Sequence, residues 1–167
     1  MFKRLSALLI VCCALTAQAA PDPALVRQLA DEDSSVKVAA IQKLTQTDDP
    51  ATVRIFQAMA DNNLHLAGDR AVIIDGDKAV DAATGASIST PKDADAVTVN
   101  NRIRGELAGA LAALKLFDPD PAVRLASAQE LQAKASAETA PLLAKALAQE
   151  SDPKIKELLT LAHAQAN

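Results

Sequence analysis

The chain has 167 residues, half of them apolar, and a formal net charge of −4. This length is enough for one domain whose core needs neither metal nor disulfide support. The acidic balance and the low aromatic content, three Phe with neither Tyr nor Trp, argue against a nucleic-acid partner, which needs basic patches and aromatic stacking surfaces.

The first 19 residues have the composition of an export signal. Lys3 and Arg4 supply the charged start, residues 5–15 form an apolar run, and Ala17 and Ala19 provide the small residues of a cleavage site. The run has eleven residues, whereas a membrane-spanning helix needs roughly 20, which favours a cleaved signal over a retained anchor. We therefore expect residues 20–167 to be periplasmic or extracytoplasmic and to contain no membrane span.

Cleavage of this signal would change the chemistry of the remaining chain. Cys12 and Cys13 both lie in residues 1–19, so the rest holds no thiol for a disulfide, a metal site or nucleophilic catalysis. The signal also takes two of the 17 basic residues and none of the 21 acidic ones, which leaves a net charge of −6.

The strongest helical pattern occupies residues 99–131. Asn100 or Asn101 caps its first helix, and Pro119 and Pro121 end that helix and open a second one. The apolar stripe of the first helix, at three- and four-residue intervals, comprises Ile103, Leu107, Ala110, Leu111, Leu114 and Phe117. The second helix is predicted to bury Val123, Ala126, Ala128 and Leu131.

Three helices begin with the same short pattern, which we interpret as an internal repeat. An aspartate at the helix start can accept the free backbone amides, a β-branched residue follows three positions later, and a cation comes next. We expect each cation to pair with aspartates of the adjacent repeat. The members are Asp33, Val36 and Lys37; Asp120, Val123 and Arg124; and Asp152, Ile155 and Lys156.

Each of these helices follows another helical segment, at 23–30, 99–117 and 137–149, so the pattern predicts three α-hairpins. A further helix at 51–61 lacks a partner. In its place, residues 62–98 alternate Gly/Asp turns with short apolar runs, which predicts a β insertion of two or three strands. We predict a mostly α fold: a HEAT-like stack of α-hairpins, or α-solenoid, over residues 20–167, with a small β-hairpin insertion at about 62–98.

Catalytic chemistry is not indicated. His65 and His163 have no second histidine or cysteine at ligand spacing. Asp75, Asp77 and Asp81 resemble a calcium loop, but the glycine is misplaced and no glutamate closes the loop, so a plain acidic turn is favoured over an ion site. We predict a protein that is not an enzyme, with no catalytic residue, no metal and no cofactor.

A candidate interaction patch lies where the insertion rejoins the helices. It consists of Asn100, Asn101, Arg102 and Arg104. The alternative is a solvated first helical turn that caps the helix and neutralises neighbouring aspartates.

Three segments resemble one known family. These are V-N-N-R-I-R at 99–104, L-F-D-P-D-P-A-V-R-L-A at 116–126, and D-A-A-T-G at 81–85, which is similar to that family's D-P-L-T-G. Together they resemble the extracytoplasmic amino-terminal region of the permease subunit of the urea ABC transporter, a relative of the branched-chain amino acid permeases. The order of signal, helical pairs, β insertion and further helical pairs agrees as well.

The resemblance implies a non-catalytic region of a urea importer that docks protein partners, either other transporter subunits or the periplasmic solute-binding protein. It would be membrane-associated as part of a longer permease. In that family a membrane portion follows this region and carries the translocation path, and because the sequence ends at Asn167, no pathway residue is carried over. The alternative expectation is a free-standing periplasmic HEAT-like scaffold for protein–protein interaction.

Overall fold

The structure, a computed structural model, describes residues 20–47 and 49–167. The signal peptide expected at residues 1–19 lies outside the described residues. Within them the fold is mostly helical, with seven helices and one small antiparallel sheet, which confirms the predicted class at this level.

The elements follow one another in the predicted order, with the sheet between the third and fourth helices. The helices are α1 Pro23–Gln28, α2 Ser34–Thr45, α3 Pro50–Ala60, α4 Asn101–Lys115, α5 Pro121–Lys134, α6 Ala140–Gln149 and α7 Pro153–Ala166. The strands are β1 Leu64–Ala67, β2 Arg70–Asp75, β3 Lys78–Asp81, β4 Ser87–Ile88 and β5 Asp95–Ala96.

Side-chain caps define where most helices begin. The predicted caps Asp33, Asp120 and Asp152 each accept a hydrogen bond from the backbone N–H two residues later, at 2.7–2.8 Å. Asp22 and Asp49 cap α1 and α3 in the same way. Such a cap contributes about 1 kcal/mol because it satisfies an amide that has no partner within the helix.

Helix α4 is buried on two sides and belongs to both cores of the protein. Ile103, Leu107 and Leu111 pack into a first core with α1, α2, α3 and the sheet. Ala113 and Leu116 pack into a second core with α5, α6 and α7. The two halves of the protein therefore meet at one helix.

Three residues of the predicted stripes do not lie where the pattern places them. Val123 is half-buried and belongs to neither core. Phe117 is half-buried in the second core, with the Lys145 ammonium 5.2 Å from its ring centroid, and does not continue the face of Ile103. Ala126 is exposed, whereas Ala128 is buried. Residues two apart on a helix are separated by about 200° around its axis, so Ala126 and Ala128 cannot share a face.

The helix pairs expected from the sequence do pack together: α1 with α2, α4 with α5, and α6 with α7. The expectation that α3 has no partner is wrong, because α4 packs against it after the chain has passed through the sheet. Helix α4 also contacts α2, so it serves several neighbours at once. The insertion therefore interrupts a helix pair without replacing its second helix.

The sheet has five strands in the order β4-β3-β2-β1-β5, two more than the largest number predicted. Strands β4 and β5 have two residues each, too few for an alternating apolar pattern. Gly68 and Gly76 have φ of +59° and +57° at the turns of the two predicted hairpins, a conformation that favours glycine. The face with Leu64 and Ile73 packs on the first core.

We expect Leu107→Ala to lower the free energy of unfolding by about 2–5 kcal/mol, because Leu107 is 1% exposed and its loss leaves a cavity in the first core. Leu161→Ala on α7 is the matched control, since Leu161 is 46% exposed, and we expect a change below about 0.5 kcal/mol. Guanidinium chloride unfolding followed by circular dichroism measures both. Equal losses would contradict the central role of α4.

Candidate interaction site

Asn100, the first residue of the predicted interaction patch, forms hydrogen bonds that connect two helices; we call such a contact between elements a joint. Its side-chain oxygen accepts from the backbone N–H of Ile103 at 3.0 Å and so caps α4. Its side-chain amide donates to the hydroxyl of Ser34 at 3.0 Å, which ties the start of α4 to the start of α2. This confirms the cap that was predicted for Asn100 or Asn101.

The other three patch residues are all exposed, and one of them makes a hydrogen bond within the fold. Arg104 donates to the side-chain oxygen of Asn62 at 3.4 Å, across the point where the chain enters the sheet. Asn101 and Arg102 are exposed. Hydrogen bonds from Ser35, and more weakly the charge of Arg102, lower the pKa of Asp33. The patch therefore acts largely within the fold and leaves two side chains for a partner.

A larger open groove, which the sequence reading missed, lies over the N-terminal half of α4. It has a volume of about 430 Å³ and runs between α2 and the connection from α5 to α6. The lining residues are Ile41, Gln42, Thr45, Gly105, Glu106, Gly109, Ala110, Lys134, Ser136, Glu138 and Thr139. We call this the α4 groove.

Two glycines of α4 border the groove. Gly105 and Gly109 are four residues apart, so they lie on the same side of the helix. No described atom outside the helix's own nearby backbone comes within 4 Å of a Cβ added at either position. Toward the other end of α4, Ala112, Ala113 and Leu116 are covered by the second core. The glycine spacing was the available sequence signal for this groove.

The charge at the groove is negative. Glu106 and Glu138 form no ion pair within the described part of the chain. Hydrogen bonds, mainly from Ser136, lower the pKa of Glu138, so its carboxylate is ionised at neutral pH. The cation at the groove, Lys134, is 2.8 Å from Glu130. An apolar floor with unneutralised carboxylates suits a cationic, partly apolar ligand.

Among the three repeated cations, Lys37 and Arg124 have partners other than the expected aspartates. Lys37 is 4% exposed and donates to the backbone carbonyl of Thr98 at 2.8 Å, and burial lowers its pKa. Lys156 is exposed. The structural role expected for the repeat is therefore confirmed for Lys37, but through a carbonyl that precedes α4.

Arg124 makes the strongest of these joints. Its guanidinium contacts both carboxylate oxygens of Glu150, at 2.8 and 3.2 Å, and the backbone carbonyl of Asp118 at 2.9 Å. Glu150 also accepts from the backbone N–H groups of Ser151 and Asp152. These donors, Arg124 foremost, lower the pKa of Glu150 to about 2. This bidentate pair connects α5 to the loop between α6 and α7.

The D-A-A-T-G segment docks the sheet on α3. The Asp81 carboxylate accepts from the backbone N–H and the hydroxyl of Thr84 at 2.8 and 2.9 Å. Gly85 has φ of +72°, and an added Cβ would lie 2.7 Å from the Arg54 guanidinium. Arg54 itself donates to the carbonyl of Ala82 at 3.1 Å. This loop is a structural contact.

The remaining candidates from the sequence are the two histidines. His65 is paired through Nδ1 with the carbonyl of Asn63 at 3.0 Å, and His163 is next to Asn167. Across residues 20–47 and 49–167, no three His, Cys, Asp or Glu side chains are grouped to hold a metal ion. Among the described helices, none combines the length and apolarity needed to cross a bilayer.

Comparisons of the chain with protein-family models, with curated proteins and with solved structures found no match.

We expect acid to weaken the fold through Glu150. A carboxyl whose pKa is lower in the folded state stabilises the fold above its ordinary pKa of 4.5 and loses this contribution as the pH falls towards about 2. The stability gap between the wild type and Glu150→Gln should therefore be large at pH 6 and small near pH 2. Thermal unfolding at stepped pH measures it, with the exposed Glu157→Gln as control. A gap independent of pH would contradict the pairing.

We expect Gly109→Ala to raise the free energy of unfolding by about 1 kcal/mol, because alanine is the better helix former and the added Cβ meets open space. Gly85→Ala is the opposite control: its positive φ and the nearby Arg54 should make the substitution destabilising. Chemical unfolding of both variants gives the two signs. A loss of stability in Gly109→Ala would show that the groove is closed in solution.

Proposed function

We propose that this chain is the extracytoplasmic region of the permease subunit of a urea-type ABC importer, and that it docks a protein partner without catalysing a reaction. In this proposal the helical pairs form a HEAT-like stack in the periplasm, and the whole is membrane-associated when joined to a membrane portion. The partner is the periplasmic solute-binding protein or another transporter subunit.

The observation that carries the proposal is where the family-like motifs lie. V-N-N-R-I-R contains Asn100, which joins α4 to α2. L-F-D-P-D-P-A-V-R-L-A contains Arg124, which joins α5 to Glu150. D-A-A-T-G contains Gly85, against which Arg54 packs. All three motifs supply joints between elements, so a chain that shares them is expected to share the arrangement of those elements.

The docking role is supported by the surface. The α4 groove is open and acidic, whereas the reactive side chains His65 and His163 bond to the backbone or lie beside an amide. An open groove suits contact with a large partner better than it suits enclosing a small substrate.

The second candidate is a free-standing periplasmic scaffold with the same docking surface. The α4 groove supports it equally, because the groove does not depend on a membrane portion. The two candidates differ in the DNA that follows the codon for Asn167, which encodes membrane helices in the first case.

Isothermal titration calorimetry of the purified chain against the periplasmic urea-binding protein of the same cell tests the first proposal. We expect saturable binding with a Kd on the order of 100 µM or tighter, about −5.5 kcal/mol, and a dependence on whether urea is present. A periplasmic binding protein for an unrelated sugar is the control. Absence of heat at high micromolar concentration, with and without urea, or equal binding of the control, would count against the importer role.

A further inference from the structure

We infer that the α4 groove binds one helix of a protein partner, apolar on the side that faces Gly105 and Gly109 and carrying lysine or arginine at its edge. The inference rests on the docking role proposed above, and it names the surface and the chemistry of what docks there.

The glycines are the first argument. Each costs about 1 kcal/mol relative to alanine inside a helix. Their backbone angles do not require glycine, since the positive-φ glycines are Gly68, Gly76 and Gly85. Packing within the described chain does not require it either, because an added Cβ at Gly105 or Gly109 meets nothing within 4 Å. What the missing side chains provide is a bare strip of helix backbone that an external helix can approach closely.

The apolar floor is the second argument. Ile41 and Ala110 are the apolar side chains that line the groove; they are 1% and 6% exposed and pack into the first core. The groove runs between α2 and the α5–α6 connection and is open to solvent on its outer side. This shape matches the helix-in-groove mode, in which an amphipathic helix places its apolar side against the floor.

The negative charge of the groove is the third argument, and it indicates that the partner helix is positively charged at its edge. Glu106 and Glu138 have no ion pair in the described part of the chain, and Lys134 is held by Glu130. The groove therefore presents negative charge on a region whose net charge without residues 1–19 is −6. A helix with lysine or arginine at its edge is complementary, and an acidic helix is repelled.

The test uses a fluorescein-labelled peptide helix of about four turns, with leucine and alanine on one side and lysine at the edges. We expect saturable binding that weakens as salt increases. A peptide in which every lysine is glutamate should not bind. Amide chemical-shift changes in the ¹⁵N-labelled chain should be confined to the α4 groove. No binding, or changes spread over the sheet or α7, would overturn the inference.

Filling the groove provides the mutational test. Gly109→Leu should weaken binding of the lysine peptide by at least about tenfold, or 1.4 kcal/mol, while the melting temperature rises because leucine is the better helix former. Ala144→Leu, at an exposed position of α6, is the matched control and should leave binding unchanged. Unchanged binding in Gly109→Leu would overturn the inference.

The carboxylates are tested separately. Glu106→Gln combined with Glu138→Gln should weaken binding by about tenfold at low salt and flatten its salt dependence. Glu32→Gln combined with Glu157→Gln, both at exposed positions, is the matched control. An equal effect of the two pairs would reduce the charge argument to non-specific attraction and overturn the stated partner chemistry.

The groove and the importer role can fail independently. If the urea-binding protein binds the wild type and Gly109→Leu equally well, the groove assignment is wrong and the importer role stands. If the lysine peptide binds in the groove and the urea-binding protein does not bind the chain, the groove assignment stands and docking of the urea-binding protein is wrong.

Discussion

The structure depends on the burial of one helix from two sides. Helix α4 presents Leu107 to the first core and Leu116, at its C-terminal cap, to the second, so neither half of the protein is complete without it. Apolar burial of this kind is the main favourable term in folding. The α4 groove lies on the same helix: beside Gly105 and Gly109, no atom of the described ranges 20–47 and 49–167, apart from neighbouring residues of the helix itself, comes within 4 Å of an added Cβ.

Charged side chains connect elements that the two cores bring together. Arg124 and Glu150 connect α5 to the loop before α7, and the backbone amides of Ser151 and Asp152 complete the environment of the carboxylate. A partly buried charge is tolerated when its partner and hydrogen bonds are all present. Lys37 plays a similar part for α2, with a carbonyl as its partner. Both contacts connect segments that are far apart in the sequence.

The candidate site was predictable only in part. The spacing of Asn100 before an apolar stripe predicts a cap, and the structure confirms it. The stripe does not show that the same asparagine also bonds to Ser34, which is 66 residues away. The α4 groove was not predicted, because a glycine inside a helical pattern indicates only a lower helix propensity at that position. That Gly105 and Gly109 border an open space depends on where α2 and the α5–α6 connection lie, and no local pattern encodes that.

The sequence by itself determined the helical class, the starts of the helices that follow a capping aspartate or Asn100, and the lack of thiols in residues 20–167. These follow from capping and spacing, which act over a few residues along the chain. The start of α6, which has no side-chain cap, lies three residues after its predicted position. The tertiary structure alone decided that α4 is the partner of α3, that Glu150 receives Arg124, and that one side of α4 stays open. Those outcomes depend on burial and pairing between segments far apart in sequence, where several neighbours compete for the same face.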